Sequence, residues 1–173
     1  MPLMSKDTSS GDVIVADNDY IIRDILRSVL QSNGFNVLLA INGLEAVDLA
    51  MRTAARLVIL DYKMPKLDGI RACGELRRLP AYADTPILIL TAFDDTGTRA
   101  AAQSAGVTAL LGKPFTSVDL LDAVDDLFGA TTTDGTAREP ATLVWERSEE
   151  PRRLFGEPVR LAEGRRILKI CRR

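Results

Sequence analysis

Residues 57–69 read Leu57-Val58-Ile59-Leu60-Asp61-Tyr62-Lys63-Met64-Pro65-Lys66-Leu67-Asp68-Gly69, and no other segment says as much about the fold. Four consecutive apolar residues predict a strand that is buried on both faces, as in a parallel sheet. The strand ends on the carboxylate of Asp61, and Pro65 and Gly69 then break regular structure. In open α/β sheets, ligands bind beyond the carboxyl ends of the strands. Asp61 is therefore predicted to lie where chemistry takes place.

Strand and helix signals alternate on both sides of this segment. Apolar residues recur at helical spacing between the strands. Asn42 with Glu45 is typical of a capping box, and Thr116 or Ser117 is expected to cap the last helix. This alternation predicts an α/β fold, a doubly wound five-stranded parallel sheet over residues 12–129. The predicted strands are 13–16, 35–40, 57–61, 87–91 and 110–111.

The composition is that of a soluble globular protein, with 46% hydrophobic and 27% charged residues. The chain contains no histidine, which excludes Ser-His catalysis, histidine metal sites and a phosphohistidine carrier. Cys73 and Cys171 lie far apart, so a disulfide is not expected and a cytoplasmic location is favoured. Residues 1–11 are polar, lack the apolar core of a signal peptide and are expected to be disordered. No apolar run is long enough to span a bilayer.

The C-terminal part of the chain differs from the rest. Residues 130–142, rich in Thr, Gly and Pro, are expected to form a linker. Residues 143–173 contain 5 acidic and 9 basic side chains, a balance of +4, whereas residues 12–129 contain 16 and 11, a balance of −5. This basic C-terminal extension is too short for an independent core, and its part from Val159 to Ile170 is predicted as a hairpin or as disordered. The interleaved acids disfavour nucleic-acid binding.

Polar side chains follow four of the five predicted strands. Because the carboxyl ends of parallel strands meet at one edge of a sheet, these side chains are expected to lie close together. Carboxylate and amide oxygens, without histidine or cysteine nearby, favour Mg²⁺ over zinc. An ammonium and a hydroxyl group at the same edge suit a phosphoryl group. The segments are Asp17-Asn18-Asp19, Asp61, Thr91-Ala92 and Lys113-Pro114.

With these motifs the chain resembles the receiver domain of two-component response regulators, which has a flavodoxin-like (βα)5 fold. Thr91 lies 30 residues and Lys113 lies 52 residues after Asp61, which matches the family's spacing. The pairs Met64-Pro65 and Asp68-Gly69 and the run Lys113-Pro114-Phe115 also match. The resemblance implies that Asp61 accepts a phosphoryl group from the phosphohistidine of a histidine kinase or phosphotransfer protein and thereby switches the binding of a downstream protein. The chain would catalyse only its own phosphorylation and dephosphorylation.

The resemblance also implies a metal site with one departure from the family. Mg²⁺ would be held by Asp17, Asn18, Asp61 and the backbone carbonyl of Lys63. The family usually has an acid where this chain has Asn18, so the site loses one negative charge and weaker Mg²⁺ binding is expected. Asp19 is expected to cap the first helix rather than to compensate for this loss.

The family implies further roles for residues in or near the ends of the third, fourth and fifth strands. Lys113 and Thr91 would contact the phosphoryl group, and the small Ala92 would leave it accessible. The Lys113-Pro114 peptide bond is cis in the family, which would aim the ammonium inward. Lys63 and Phe93, both bulky, stand at positions that tune hydrolysis in the family, which predicts a long-lived phosphoform. Leu110 stands where the family usually has a Tyr or Phe, whose ring swings inward when the threonine moves, so the resemblance does not extend to Thr–aromatic switching.

The sequence leaves one main alternative open, a degenerate receiver that acts as a constitutive protein-interaction module. A haloacid-dehalogenase-type phosphatase is disfavoured because Lys63 stands where that class has a second aspartate. A flavodoxin-like nucleotide binder is disfavoured because residues 17–19 would repel phosphate. A homodimer is left open, although the last helix has four aspartates and no basic residue, unlike the mixed charges typical of dimers through the fourth and fifth helices.

Overall fold

The computed structural model of this chain describes residues 12–92, 96–129 and 167–169. Its strands are β1 (Asp12–Ala16), β2 (Asn36–Ala40), β3 (Leu57–Asp61), β4 (Ile87–Thr91), β5 (Ala109–Gly112) and β6 (Ile167–Lys169). Its helices are α1 (Tyr20–Ser32), α2 (Gly43–Arg52), α3 (Gly69–Arg77), α4 (Thr96–Ala105) and α5 (Ser117–Gly129), with a 3₁₀ turn at Pro80–Tyr82. The predicted alternation of five strands with five helices is confirmed.

All six strands form one sheet in the order β2-β1-β3-β4-β5-β6. The first five strands are parallel to their neighbours, which confirms the predicted five-stranded parallel sheet. The chain moves outward from β1 to β2 and then returns to place β3 on the other side of β1, so the strand order reverses between β1 and β3. A reversal of this kind opens a crevice at the carboxyl ends of the two strands, where ligands bind in doubly wound sheets.

Helices cover the sheet on both faces because successive strand residues point to opposite sides. Leu57, Val58, Ile59 and Leu60 of β3 are completely buried, as expected for a central parallel strand. One face packs against α2, α3 and α4, and its core includes Ile14, Leu60, Ile89, Ala46, Leu76 and Ala102. The other packs against α1 and α5, and its core includes Val15, Ile59, Leu90, Leu26, Val124 and Leu127.

Side-chain caps set where the helices begin. Asn42 accepts a hydrogen bond from the backbone N–H of Glu45 at 3.0 Å, and Glu45 in turn accepts one from the backbone N–H of Ile41 at 3.0 Å. Thr116, rather than Ser117, caps α5, because its hydroxyl accepts from the N–H of Asp119 while the Asp119 carboxylate accepts from the N–H of Thr116. The structure therefore resolves the choice of cap that the sequence left open.

Three strands differ at their ends from those predicted. β1 begins one residue earlier, at Asp12, which pairs with Asn36 of β2. β2 begins at Asn36 and not at Phe35, because the backbone N–H of Phe35 donates to the carbonyl oxygen of Leu30 at 3.1 Å and so belongs to the end of α1. β5 is longer than predicted and runs from Ala109 to Gly112, since Gly112 still pairs with Thr91 of β4. Local hydrophobic patterns locate a strand well but do not show which backbone groups have partners.

The C-terminal extension contributes a strand at the edge of the sheet. β6 pairs antiparallel with β5, with Leu168 opposite Leu110. Of the hairpin predicted over residues 159–170, only this strand lies among the described residues, as the rest of the extension, the linker and the N-terminal segment lie outside them. Within the described part of the chain, no helix combines the length and the apolarity needed to cross a bilayer.

Candidate functional site

The ends of four strands bring the candidate residues to the same edge of the sheet. The registers pair Ala16 with Leu60 and Asp61 with Leu90, while Thr91 pairs with Gly112. Asp17 and Lys113 each follow a strand by one residue, so both stand close to the level of Asp61. The crevice that the strand-order reversal opens between β1 and β3 lies at this level of the sheet.

Lys113 joins the two carboxylates of the site. Its Nζ donates to Oδ1 of Asp61 at 2.6 Å and to Oδ2 of Asp17 at 2.9 Å. The backbone N–H of Lys113 donates to the carbonyl oxygen of Thr91 at 2.7 Å, and the Lys113–Pro114 peptide bond is cis. One ammonium therefore neutralises part of the charge of two carboxylates that the sheet brings together from β1 and β3.

The carboxylates lie at the bottom of the crevice, and their neighbours lie at its rim. Asp17 is 1% exposed and Asp61 is 7% exposed. Ionisable side chains are rarely buried this deeply unless they are paired, as both are here with Lys113. Asn18, Ala92 and Lys63, in contrast, are exposed. The two carboxylates are therefore shielded from solvent, whereas the side chains of Asn18, Ala92 and Lys63 are open to it.

Burial and charge shift the pKa values of the central pair. Burial raises the pKa of the Asp61 carboxyl, and the hydrogen bond from Lys113 offsets part of this increase. The negative charge of Asp17 raises the pKa of Asp61 further, while a hydrogen bond from the Lys63 backbone lowers it. Burial lowers the pKa of Lys113, but the hydrogen bonds to Asp61 and Asp17 outweigh it, so the pKa of Lys113 is raised. Lys113 is therefore a fixed positive charge at neutral pH.

The loop after β1 holds Asp17 in place. The second carboxylate oxygen of Asp17, Oδ1, accepts from the backbone N–H of Asp19 at 2.8 Å. Asp19 itself caps α1, because its carboxylate accepts from the N–H groups of Ile21 and Ile22. Arg23 donates from Nη1 to the backbone carbonyl of Asp17 at 2.7 Å. The sequence gives no signal for Arg23, since this contact depends on how the first turn of α1 folds back onto the loop.

Gly69 sets the distance between α3 and the phosphoacceptor candidate. Its backbone N–H donates to the carbonyl oxygen of Tyr62 at 3.0 Å. A Cβ atom at Gly69 would approach the backbone oxygen of Asp61 to 2.3 Å, well inside van der Waals contact. Only glycine therefore allows α3 to begin so close to the end of β3.

Gly69→Ala is expected to move β3 and α3 apart and to displace the Asp61 carboxylate. We expect a loss of roughly 1–3 kcal/mol in the free energy of unfolding, measured by urea denaturation, because the clash is with backbone. Gly74→Ala is the matched control, since a Cβ atom there meets nothing within 4 Å. Equal stabilities of the two variants would contradict the packing argument.

The oxygen atoms at the edge fit a divalent cation. Asp17 and Asp61 supply hard carboxylate oxygens that already share one cationic group, and Asn18 adds an amide at the rim. Among the described residues there is no cluster of three or more His, Cys, Asp or Glu side chains suited to a metal.

The residues predicted to act as switches lie in different environments. Thr91 is 4% exposed at the end of β4, and Ala92 follows it at the surface. Leu110 is 4% exposed, and in the sheet register it stands between Ile89 of β4 and Leu168 of β6. Phe93 lies outside the described residues.

Residues 13–125 of the chain match the sequence profile of the response regulator receiver domain. The chain belongs to this family. This receiver is 40% identical over 133 residues to the response regulator MprA of Mycolicibacterium vanbaalenii, a match that covers 77% of this chain and 57% of that protein. It is 37% identical over 160 residues to the response regulator MprA of Mycobacterium leprae, covering 92% of this chain and 67% of that one. The receiver chain thus spans little more than half the length of the first of these relatives.

Solved structures support the same assignment. The chemotaxis protein CheY4 of Vibrio cholerae superposes with a TM-score of 0.67 and 28% identity, covering 69% of this receiver chain and 99% of CheY4. The receiver domain of the sensor histidine kinase PA1611 of Pseudomonas aeruginosa superposes with a TM-score of 0.65 and 27% identity, covering 70% and 99%. The latter structure has a magnesium ion coordinated in its active-site cleft.

Proposed function

We propose that this receiver is a phosphorylation-dependent switch in which Asp61 is the phosphoacceptor. The observation that carries the proposal is the contact of the Lys113 ammonium with both Asp61 and Asp17 at the strand-order reversal. A buried carboxylate beside a fixed positive charge is well suited to attack a phosphorus atom, because the lysine stabilises the anionic phosphoryl oxygens. The donor is the phosphohistidine of a histidine kinase or phosphotransfer protein.

In the proposed reaction, a carboxylate oxygen of Asp61 attacks the phosphorus atom in line with the phosphoramidate bond. The O–P bond forms while the N–P bond of phosphohistidine breaks, and the donor imidazole leaves with its electron pair. Lys113 exchanges its contact with an Asp61 oxygen for one with the phosphoryl group, as a point charge on a flexible stem. The hydroxyl group of Thr91 donates to the same phosphoryl group and draws the end of β4 toward Asp61.

The oxygen donors described above fit Mg²⁺, which we propose is held by Asp17, Asn18, Asp61 and the backbone carbonyl of Lys63. When bound, Mg²⁺ supplies a positive charge that neutralises the oxygens of the transferring group. Asp17 is the carboxylate best placed for this role, because the N–H of Asp19 holds its orientation. Asn18 contributes a neutral oxygen, so the affinity for Mg²⁺ is lower than that of a site with three acids.

Asn18→Asp is expected to tighten Mg²⁺ binding by roughly tenfold, because ligand charge sets the affinity of oxygen sites for divalent cations. Isothermal titration calorimetry with MgCl₂ measures the change. Gln31→Glu is the matched control, since it adds the same charge at an exposed position at the end of α1. Equal Kd values for Asn18→Asp and wild type would contradict the assignment of Asn18 as a ligand.

We also propose that Lys63 and Phe93 screen the acyl phosphate from water, which gives a phosphoform that lasts minutes or more. The exposed side chain of Lys63 stands at the rim, two residues after Asp61. Decay of radiolabelled phosphoprotein measures the lifetime, and Lys63→Ala is expected to shorten it while Lys66→Ala leaves it unchanged. A wild-type half-life of seconds would overturn this part of the proposal.

The alternative function is a degenerate receiver that binds a partner constitutively. Leu110 favours it, because a buried leucine cannot act as the aromatic residue that follows the threonine in the family. Titration with beryllofluoride and Mg²⁺, followed by NMR, separates the two functions. A phosphorylatable receiver shows amide shifts around Asp61 and Thr91, and fluoride with Mg²⁺ alone is the control. A spectrum that beryllofluoride leaves unchanged would favour the degenerate receiver.

The downstream output belongs to the same proposal. We propose that phosphorylation at the crevice changes the binding of a downstream protein, and that this takes place in the cytoplasm. Residues 12–129 act as the receiver, and the linker 130–142 joins them to the extension, residues 143–173. Four aspartates without a basic residue on α5 disfavour a dimer through α4 and α5. Neither nucleic acid nor membrane is a proposed partner.

A further inference from the structure

The sixth strand, β6, distinguishes this sheet from one of five strands, in which β5 would be the edge strand. β5 pairs with β4 on one side, and an edge strand of this kind leaves a row of N–H and C=O groups without partners on the other. Here β6 takes that side, with Ala109, Leu110 and Leu111 opposite residues 169, 168 and 167. As the last strand of the sheet, β6 has a strand neighbour on one side only, so interactions of its flanking side chains can add to its stability.

The helix that follows β5 and the sequence that contains β6 carry charges of opposite sign. The helix that follows β5 in the chain, α5, packs on the same face of the sheet as Leu111 and carries Asp119, Asp122, Asp125 and Asp126, with no basic residue. Residues 165–173, which contain β6, carry five basic side chains and no acidic one. All five acids of the C-terminal extension lie before this basic segment, at residues 146–163. The positive charge of the extension is thus concentrated around the strand that reaches β5.

The connection between the two elements favours an intramolecular contact. The segment between α5 and β6, residues 130–166, is long enough to allow the chain to return to its own β5 edge. Because both elements belong to one chain, a pairing between them does not require a second molecule and does not weaken on dilution.

We propose that the β5 edge and the acidic helix α5 form a docking surface for a basic extended segment, and that its occupant is residues 165–173 of the same chain. Backbone pairing with β5 supplies the register, and attraction between the aspartates of α5 and the basic side chains supplies the additional stability. The docked segment blocks the β5 edge against other strands. This inference is independent of whether Asp61 is phosphorylated.

Hydrogen–deuterium exchange of the full chain tests the pairing. Leu168→Pro removes a backbone donor from β6 and is expected to speed exchange of the amides of 109–111 by about tenfold or more. Val144→Pro, elsewhere in the extension, is the matched control and is expected to leave their exchange unchanged. Amides of β1 and β3 report in each sample that the sheet remains folded. Unchanged exchange at 109–111 in Leu168→Pro would overturn the proposal.

Paired charge reversals test the role of α5. Arg165→Glu/Arg166→Glu is expected to speed exchange at 109–111, whereas Arg152→Glu/Arg153→Glu, with the same change of net charge, is expected to have no effect. Adding Asp125→Arg/Asp126→Arg to the first variant is expected to restore slow exchange. Equal effects of the two arginine variants, or no restoration, would show that charge complementarity does not hold the segment.

Dilution identifies the occupant. An intramolecular strand gives the same exchange at 109–111 from about 1 to 100 μM protein, together with a monomeric mass in light scattering, because a tethered contact does not depend on concentration. Faster exchange on dilution, together with a dimeric mass at high concentration, would assign the edge to a second copy and overturn the proposal.

Discussion

Asp61→Asn is expected to abolish phosphorylation of this receiver completely. The asparagine amide keeps the shape of the side chain but cannot act as the nucleophile that forms an acyl phosphate. In Phos-tag electrophoresis, wild type incubated with Mg²⁺ and acetyl phosphate, or with a phosphorylated histidine kinase, gives a retarded band. Asp61→Asn gives only the unmodified band under the same conditions.

The loss of the retarded band in this variant is not expected to result from unfolding. Because burial raises the pKa of Asp61, the folded chain holds that proton more tightly than the unfolded chain does. Ionisation of Asp61 therefore weakens folding as the pH rises from below its ordinary pKa to above its raised one. The neutral amide of the Asp61→Asn variant removes this penalty and still accepts a hydrogen bond from Lys113, so the melting temperature of the variant at neutral pH should not fall.

Asp48→Asn is the matched control for this experiment. Asp48 is a half-exposed aspartate that forms an ion pair with Arg52 on α2, and its replacement is expected to leave the retarded band unchanged. A retarded band that persists in Asp61→Asn would place the phosphoacceptor elsewhere. Absence of the band in wild type with every competent donor would favour the degenerate receiver.

Lys113→Met is expected to have the second largest effect, on both transfer and stability. Removal of the ammonium leaves the carboxylates of Asp17 and Asp61 close together and almost completely buried without their shared cation. We expect a loss of roughly 2 kcal/mol in the free energy of unfolding in EDTA, less than for a fully buried pair because the lysine side chain is 24% exposed. Phosphoryl transfer should also slow by about a hundredfold or more, since one positive charge leaves the transition state.

Mg²⁺ provides a specific readout for this variant. Because the metal replaces the missing positive charge, the increase in the free energy of unfolding between EDTA and saturating Mg²⁺ should be larger in Lys113→Met than in wild type. Lys66→Met, at an exposed position in the loop after β3, is the control and should respond like wild type. Equal responses in all three proteins would contradict a cation site shared by Asp17 and Asp61.

The stability difference between wild type and Lys113→Met should also depend on pH. The pKa of Lys113 is raised by its partners, so its contribution to stability is fully present below the ordinary lysine pKa of 10.5 and is lost as the pH rises through the raised value. In urea denaturation in EDTA, the free energies of unfolding of the two proteins should therefore converge as the pH becomes more alkaline. A difference that stays constant above that range would show that packing, and not charge, accounts for the effect of Lys113.

Much of the fold could be predicted from local patterns. The buried run Leu57–Leu60 and the helical spacing between strands identified five strands and their parallel arrangement, because burial on both faces imposes a continuous apolar run. Strand boundaries were less accurate, as at Phe35, where a backbone hydrogen bond to the end of α1 decides the assignment. The hydrophobic pattern of the sequence does not show whether Phe35 belongs to the end of α1 or to β2.

The candidate site could be predicted as a set of residues but not as a set of contacts. Asp17, Asp61, Thr91 and Lys113 follow strands that end at one edge, which is a consequence of parallel topology. The arrangement of one ammonium between two carboxylates, and the contact of Arg23 with the Asp17 backbone, depend on loop conformations and side-chain directions. Neither was visible in the spacing of the motifs.

By itself, the sequence determined that a carboxylate ends a doubly buried strand, and that a threonine and a lysine follow it at fixed intervals. These are local properties of hydrophobic periodicity and chain order. Only the tertiary structure decided that Lys113 bridges Asp61 and Asp17, and that residues 167–169 pair with β5. Both are contacts between segments distant in sequence, and a short apolar run carries no information about which edge in the folded sheet is free to receive it.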